Sequence, residues 1–225
     1  MEKCTHNNLS FFISVAAVLT VTAAVIICSA TFSLAKIDFK AEFYFVCFSV
    51  EDNSISADAI SSSVINLGGA GYVLEYGGEY FVTVACYYSE NDAAHVRQNL
   101  LRRGLQCSVL SVEKDGYILK SRTKSRKNLY SGNLTTLQSL SKLCYDCANG
   151  LDTGEYNQAS AKAILTDVEI GLKGLKNANI DNCFSSEIKR LLAECEAADN
   201  GYIYSKALRK LQIAIADTLI NINLY

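Results

Sequence analysis

The middle third of the chain contains one pattern twice: an aromatic-rich strand, a helix, a glycine and a second short strand. The first copy begins at Phe43 and the second at Tyr80. The alanine-to-glycine spacing is the same in both copies, Ala59 to Gly69 and Ala94 to Gly104. Two β-α-β units in register predict a ferredoxin-like β-α-β-β-α-β domain over residues 43–113, in which the first and third strands are central neighbours.

Local signals support these element boundaries. Gly77-Gly78, between the two middle strands, predicts a tight β-hairpin because paired glycines accept the backbone conformation that such turns need. Ser89 predicts the start of the second helix, and Gly104 predicts its end.

The first 35 residues have a different composition. Between Lys3 and Lys36 there is no Asp, Glu, Lys or Arg. About 20 apolar residues span a bilayer, so we expect a polar tail over residues 1–8 and a transmembrane anchor over residues 9–35. A cleavable signal peptide ending near Ala35 is the alternative. The anchor predicts a single-pass protein of the cell membrane with its remaining domains extracytoplasmic, although the flanking lysines do not fix its orientation.

Two connecting segments and a helical region complete the organisation. Residues 36–42 are expected to form a short tether, and residues 114–130 a basic linker. Five positive charges and no negative charge lie between Lys120 and Lys127, a composition typical of a solvated linker or of a contact with an anionic surface. Apolar residues at helical spacing over 131–225 predict an antiparallel four-helix domain. The predicted fold class is α+β: a transmembrane helix, a ferredoxin-like domain and an all-α four-helix domain.

Few residues suggest chemistry. The sequence lacks a recognisable Ser-His-Asp set, a glycine-rich phosphate loop after a strand and a histidine-based metal signature, so we predict a protein that is not an enzyme and has no cofactor or metal. Cys144-x-x-Cys147 could serve redox or zinc chemistry. Its position within a helix favours the other interpretation, in which both thiols are small buried apolar groups.

The predicted sheet offers a more specific surface. Strand alternation places four side chains on the face that points away from the two helices of the repeat: Phe45, Cys47, Phe81 and Thr83. Exposed aromatic rings on a four-stranded sheet stack on RNA bases in RNA-recognition motifs, and sugar rings can use the same geometry. A net charge of −2 argues against a nucleic-acid partner. In the alternative arrangement, the C-terminal helices cover this face.

The repeat resembles the SPOR (sporulation-related repeat) family over residues 43–113. The second copy matches the family pattern at Tyr80, Val82, Val84, Tyr87, Ser89, Ala94, Leu100 and Gly104. The first copy matches it at Tyr44, Val46, Ala59, Leu67 and Gly69. The resemblance implies a SPOR-type domain that binds peptidoglycan glycan strands stripped of stem peptides, in cell division or sporulation.

Carried over by position, the resemblance implies a glycan-binding site at Phe45, Cys47, Phe81 and Thr83. Family members often have Gln at the position of Cys47 and Gly at that of Ala85. Phe and Cys offer fewer hydrogen bonds to glycan hydroxyls than amide side chains do. The alternative prediction is therefore an envelope protein-interaction module, whose sheet face is covered and whose helical domain recruits a protein partner.

Overall fold

The computed structural model describes residues 35–119, 124–178 and 182–224. These residues form a four-stranded sheet and six helices in an α+β arrangement. In chain order the elements are β1 (Ala35–Glu51), α1 (Ser54–Asn66), β2 (Tyr72–Tyr76), β3 (Glu79–Tyr87), α2 (Glu90–Arg102), β4 (Ser108–Leu119), α3 (Lys124–Thr153), α4 (Gln158–Asn177), α5 (Asn182–Ala198) and α6 (Ser205–Asn221).

Two short-range sequence signals, for the β-hairpin and for the start of the second repeat helix, form the structures that they predict. Gly77 and Gly78 have φ angles of 64° and 88° and join β2 to β3 in a two-residue turn, which confirms the predicted hairpin. The Ser89 side chain accepts a hydrogen bond from the Asp92 N–H at 3.4 Å, which confirms the predicted start of the second repeat helix.

The sheet has the strand order β2-β3-β1-β4, and every neighbouring pair is antiparallel. The central strands are β3 and β1, and the edges are β2 and β4. The register of β1 against β3 shifts on both sides of Cys47, which indicates a bulge. Phe45 lies opposite Cys86 and Phe81 lies opposite Val50, so the two phenylalanines are not cross-strand neighbours.

Helices cover both faces of the sheet. Helices α1 and α2 pack on one face, over two small apolar clusters centred on Val82 and Val46. Helices α3 and α6 pack on the other face, and α4 and α5 complete the helical layer beyond them. One continuous core joins the sheet to these helices, with Phe45 and Leu74 in the same cluster as Leu137. Burial of this shared apolar surface stabilises the sheet and the helices together.

Strand β1 begins earlier than predicted. Side chains alternate along its first half: Ile37, Phe39 and Ala41 are buried in the main core, whereas the intervening charged residues are exposed. This half pairs with β4 as far as Ala35 opposite Leu119. Residues expected to form a tether and the start of a linker are therefore paired strands, and Lys124 already belongs to α3.

The predicted fold class, an α+β protein with a transmembrane helix and two folded domains, is wrong in this form, although the described residues are α+β. It required a transmembrane helix, but in the three described ranges no helix combines the length and the apolar composition that a membrane crossing needs. The predicted anchor over residues 9–35 lies outside the described residues except for Ala35, which is in β1. The structure also lacks the expected separation into two domains, because the sheet and the helical layer share one core.

Candidate functional site at the free edge of the sheet

The four residues of the expected glycan-binding face are all buried. Phe45, Cys47 and Thr83 have no exposed surface, and Phe81 is 8% exposed. Phe45, Cys47 and Phe81 belong to the core that continues into the helical layer. The Thr83 hydroxyl donates to the carbonyl oxygen of Tyr72 at 2.8 Å, and burial raises the pKa of the Cys47 thiol to about 12. These residues do not form an open platform, because α3 and α6 cover that side of the sheet.

Hydrogen bonds join α3 and α6 to the sheet. Gln212 on α6 donates its side-chain amide to the carbonyl oxygen of Cys86 at 3.0 Å. Tyr88, just after β3, donates to the Ser141 hydroxyl on α3 at 2.7 Å. Lys114 on β4 donates to the carbonyl oxygen of Ile220 at 2.8 Å. Buried polar groups are costly unless they are paired, so these contacts favour one orientation of the helices on the sheet. Sequence reasoning missed them, because the partners lie far apart along the chain.

One edge of the sheet directs main-chain N–H and C=O groups outward. Tyr76 and Glu79 flank the two-residue turn, and in such a hairpin they form a hydrogen-bonded pair. Antiparallel pairing then alternates, so Val73 and Glu75 direct their N–H and C=O groups away from β3. Within the described part of the chain β2 is an edge strand, so these groups face no further strand there. The Asn221 side chain donates to the carbonyl oxygen of Glu75 at 3.3 Å, which agrees with this outward direction.

An open groove of about 380 Å³ runs beside this edge. Val73, Glu75 and Tyr80 contribute from the sheet, and α5 and α6 contribute Glu187, Arg190 and Asp217. We call this space, with the outward main chain of Val73 and Glu75, the edge groove. It contains main-chain donors and acceptors, an apolar wall and charged side chains, which are the components of a peptide-binding site.

Arg190 organises the helical side of the edge groove. Its guanidinium donates to Glu187 Oε2, to the Tyr72 hydroxyl and to Thr218 Oγ1, each at 2.9 Å. Tyr72 in turn donates to Asp217 Oδ2 at 2.5 Å. Burial opposes the charged form of Arg190, but Tyr72 and Glu187 outweigh it and raise the pKa of Arg190. Burial, followed by the Asp217 carboxylate, raises the pKa of the Tyr72 hydroxyl, which stays protonated and available as a donor.

The cysteine pair in α3 lies away from the edge groove. Cys144 and Cys147 are both buried in the main core. Burial raises the pKa of Cys144 and raises that of Cys147 to about 11. Thiols with raised pKa values are poor nucleophiles and poor metal ligands. Within the described ranges, no three His, Cys, Asp or Glu side chains are grouped so that they could hold a metal ion.

Comparison of the chain with protein-family models, with curated proteins and with solved structures found no match. The resemblance to the SPOR family therefore stays a prediction.

Proposed function

We propose that this chain is a non-catalytic protein-interaction module that binds an extended segment of a partner along the β2 edge. The free edge of β2 within the edge groove is the observation that carries this proposal. It develops the alternative in which the sheet face is covered and the protein acts by recruiting another protein. The proposed module does not bind glycan through Phe45 and Phe81, since a glycan does not reach side chains buried beneath α3 and α6.

Strand addition sets the expected strength of binding. Val73 and Glu75 each present one N–H and one C=O, and a main-chain hydrogen bond contributes about 1 kcal/mol net. The Glu75 C=O already accepts from Asn221, so three such bonds are available and supply about 3 kcal/mol, whereas a dissociation constant of 1 μM corresponds to about 8 kcal/mol. For a dissociation constant of about 1 μM, side chains of the partner must therefore contribute more than half of the binding energy through the edge groove. This division is typical of strand addition, in which the main chain gives affinity and the flanking pockets give specificity.

The opposite edge of the sheet is less suited to strand addition. β4 carries three consecutive charged residues, Glu113, Lys114 and Asp115. Gly116 follows them with a φ of 78°, which interrupts the extended backbone. Charges and irregular backbone are the features by which native edge strands avoid pairing with other chains. β2 contains no residue with a positive φ angle and no run of charges, and Glu75 is its single charged residue.

A proline substitution tests the role of the β2 main chain. Glu75→Pro removes an outward N–H and leaves the pairing with β3 intact, since that N–H takes no part in it. The matched controls are Glu75→Gln, which removes the same carboxylate and keeps the N–H, and Glu90→Pro, at the first position of α2 after its Ser89 cap, where proline is tolerated. The assay is fluorescence anisotropy of the full chain with a synthetic library of labelled extended peptides about seven residues long, enough to span β2.

We expect one or more library peptides to bind the wild-type chain and the Glu90→Pro variant equally. Compared with Glu75→Gln, the Glu75→Pro variant should lose about tenfold in affinity and keep its circular dichroism spectrum, because a hydrogen bond is lost and the added strand is displaced. Unchanged affinity in a folded Glu75→Pro variant would contradict binding along this edge.

A further inference from the structure

The edge groove carries a net negative charge, because its lining contains three carboxylates, Glu75, Glu187 and Asp217, and one cation, Arg190. Arg190 is fully engaged, since it donates to Glu187, Tyr72 and Thr218. Asp217 is engaged as well: its Oδ2 accepts from the Tyr72 hydroxyl at 2.5 Å and its Oδ1 accepts from Asn221 at 2.7 Å. These contacts leave two carboxylates with capacity for an incoming cation.

Glu75 and Glu187 are those two carboxylates. The Glu75 side chain is exposed, and over residues 35–119, 124–178 and 182–224 no basic side chain forms an ion pair with it. Glu187 uses Oε2 for its contact with Arg190 at 2.9 Å, and its side chain is 33% exposed. An anionic groove of this kind attracts a cationic ligand and repels an anionic one.

The two carboxylates lie on opposite sides of the β2 edge. Tyr72 and Leu74 point into the core shared with the helical layer, whereas Val73 points towards α1. Glu75 alternates with Leu74, so its side chain lies on the α1 side, and Glu187 belongs to α5 on the helical side. Successive residues of an added strand also point to opposite sides. Two consecutive basic residues in that strand can therefore reach one carboxylate each.

A second copy of this chain fits the edge groove poorly. Pairing two copies through β2 would bring Glu75 and Glu187 of each copy to the same contact, and like charges placed together oppose association. The charge pattern thus selects a foreign basic segment over self-association.

We propose that the partner segment bound at the β2 edge carries two consecutive lysine or arginine residues, one facing Glu75 and the other facing Glu187. This inference rests on the proposed function, because it names the chemistry of the segment that docks there. Partly exposed ion pairs contribute about 0.5 to 1 kcal/mol each. Two of them give a preference of about 5- to 30-fold over a neutral segment of the same length.

The test measures anisotropy of the full chain with three labelled peptides. All three are valine- and threonine-rich and about seven residues long, and they differ in a central pair that is Lys-Lys, Gln-Gln or Glu-Glu. We expect the Lys-Lys peptide to bind about 5- to 30-fold more tightly than the Gln-Gln peptide, with the Glu-Glu peptide weakest. Raising the salt concentration should reduce the difference.

A charge-neutral variant separates this inference from the proposed function. In Glu75→Gln with Glu187→Gln, the Lys-Lys preference should disappear while Gln-Gln binding is kept. The control with the same change in net charge is Glu155→Gln with Glu196→Gln, two exposed positions that do not line the edge groove. If no peptide binds the wild-type chain, both proposals fail. If peptides bind without a lysine preference, or the preference survives in the Glu75 and Glu187 variant, the basic-segment inference alone fails.

Discussion

Phe45→Ala distinguishes a covered sheet face from an open one. Phe45 has no exposed surface and lies in the core shared by the sheet and the helical layer. Its ring centroid is 6.1 Å from that of Phe43. Removing a buried phenylalanine side chain costs about 3 to 5 kcal/mol, through lost transfer free energy and the cavity left behind. The same change on an open face would alter the free energy of unfolding by about 0.5 kcal/mol or less.

Urea denaturation followed by circular dichroism measures this difference. With a slope of about 2 to 3 kcal/mol per M, the expected loss lowers the midpoint by about 1 to 2.5 M. Tyr202→Ala is the control, because Tyr202 is an aromatic residue with 53% of its surface exposed, and its midpoint should change little. Phe45→Leu, which leaves a smaller cavity, should lose about 1 to 2 kcal/mol and provides a measurable variant if the alanine substitution prevents folding. A loss below about 1 kcal/mol for Phe45→Ala would refute the covered face.

Three further predictions concern packing, thiols and the edge groove. Gly150→Ala should destabilise the chain by about 1 to 3 kcal/mol in urea denaturation, since its Cβ would lie 2.4 Å from the Tyr156 ring. Gly132→Ala in the same helix meets no atom within 4 Å and should instead stabilise by about 0.5 to 1 kcal/mol. Iodoacetamide at pH 8 with peptide mapping should label Cys107 well before Cys86 and Cys144. Burial raises the pKa of all three thiols, but Cys107 alone of these is partly exposed. Equal labelling rates would contradict the packing. Arg190→Lys should cost about 1 to 3 kcal/mol by thermal or urea unfolding, since lysine cannot serve Glu187, Tyr72 and Thr218 together, and an unchanged midpoint would show that the network contributes little.

Local signals in the sequence predicted local structure. The hairpin at Gly77 and Gly78 depends on the conformations of two adjacent residues, and the start of α2 depends on one hydrogen bond that the Ser89 side chain accepts from the Asp92 N–H. The early start of β1 could also have been predicted: residues 36–42 alternate charged and apolar side chains, which is the period of a half-buried strand. The apolar stretch before this segment instead favours a membrane anchor followed by a tether, whereas the structure has a paired strand there.

The long-range arrangement could not be obtained in this way. Alternation along β1 shows that Phe45 and Phe43 share a side of the strand, but not which element covers that side. The cover depends on contacts such as Gln212 with Cys86, which join residues far apart in sequence. The edge groove depends on the same contacts, because Arg190 and Asp217 reach β2 from the helical layer. No local pattern marks either residue as part of a site.

Amide hydrogen exchange of the full chain by NMR tests the β2 edge most directly. In the free protein, the amides of Tyr72, Leu74 and Tyr76 should exchange slowly, and those of Val73 and Glu75 should exchange fast, because they point away from β3. Adding the Lys-Lys peptide should slow the exchange of Val73 and Glu75 selectively. Slow exchange at both positions without peptide, or no change on binding, would contradict docking by strand addition.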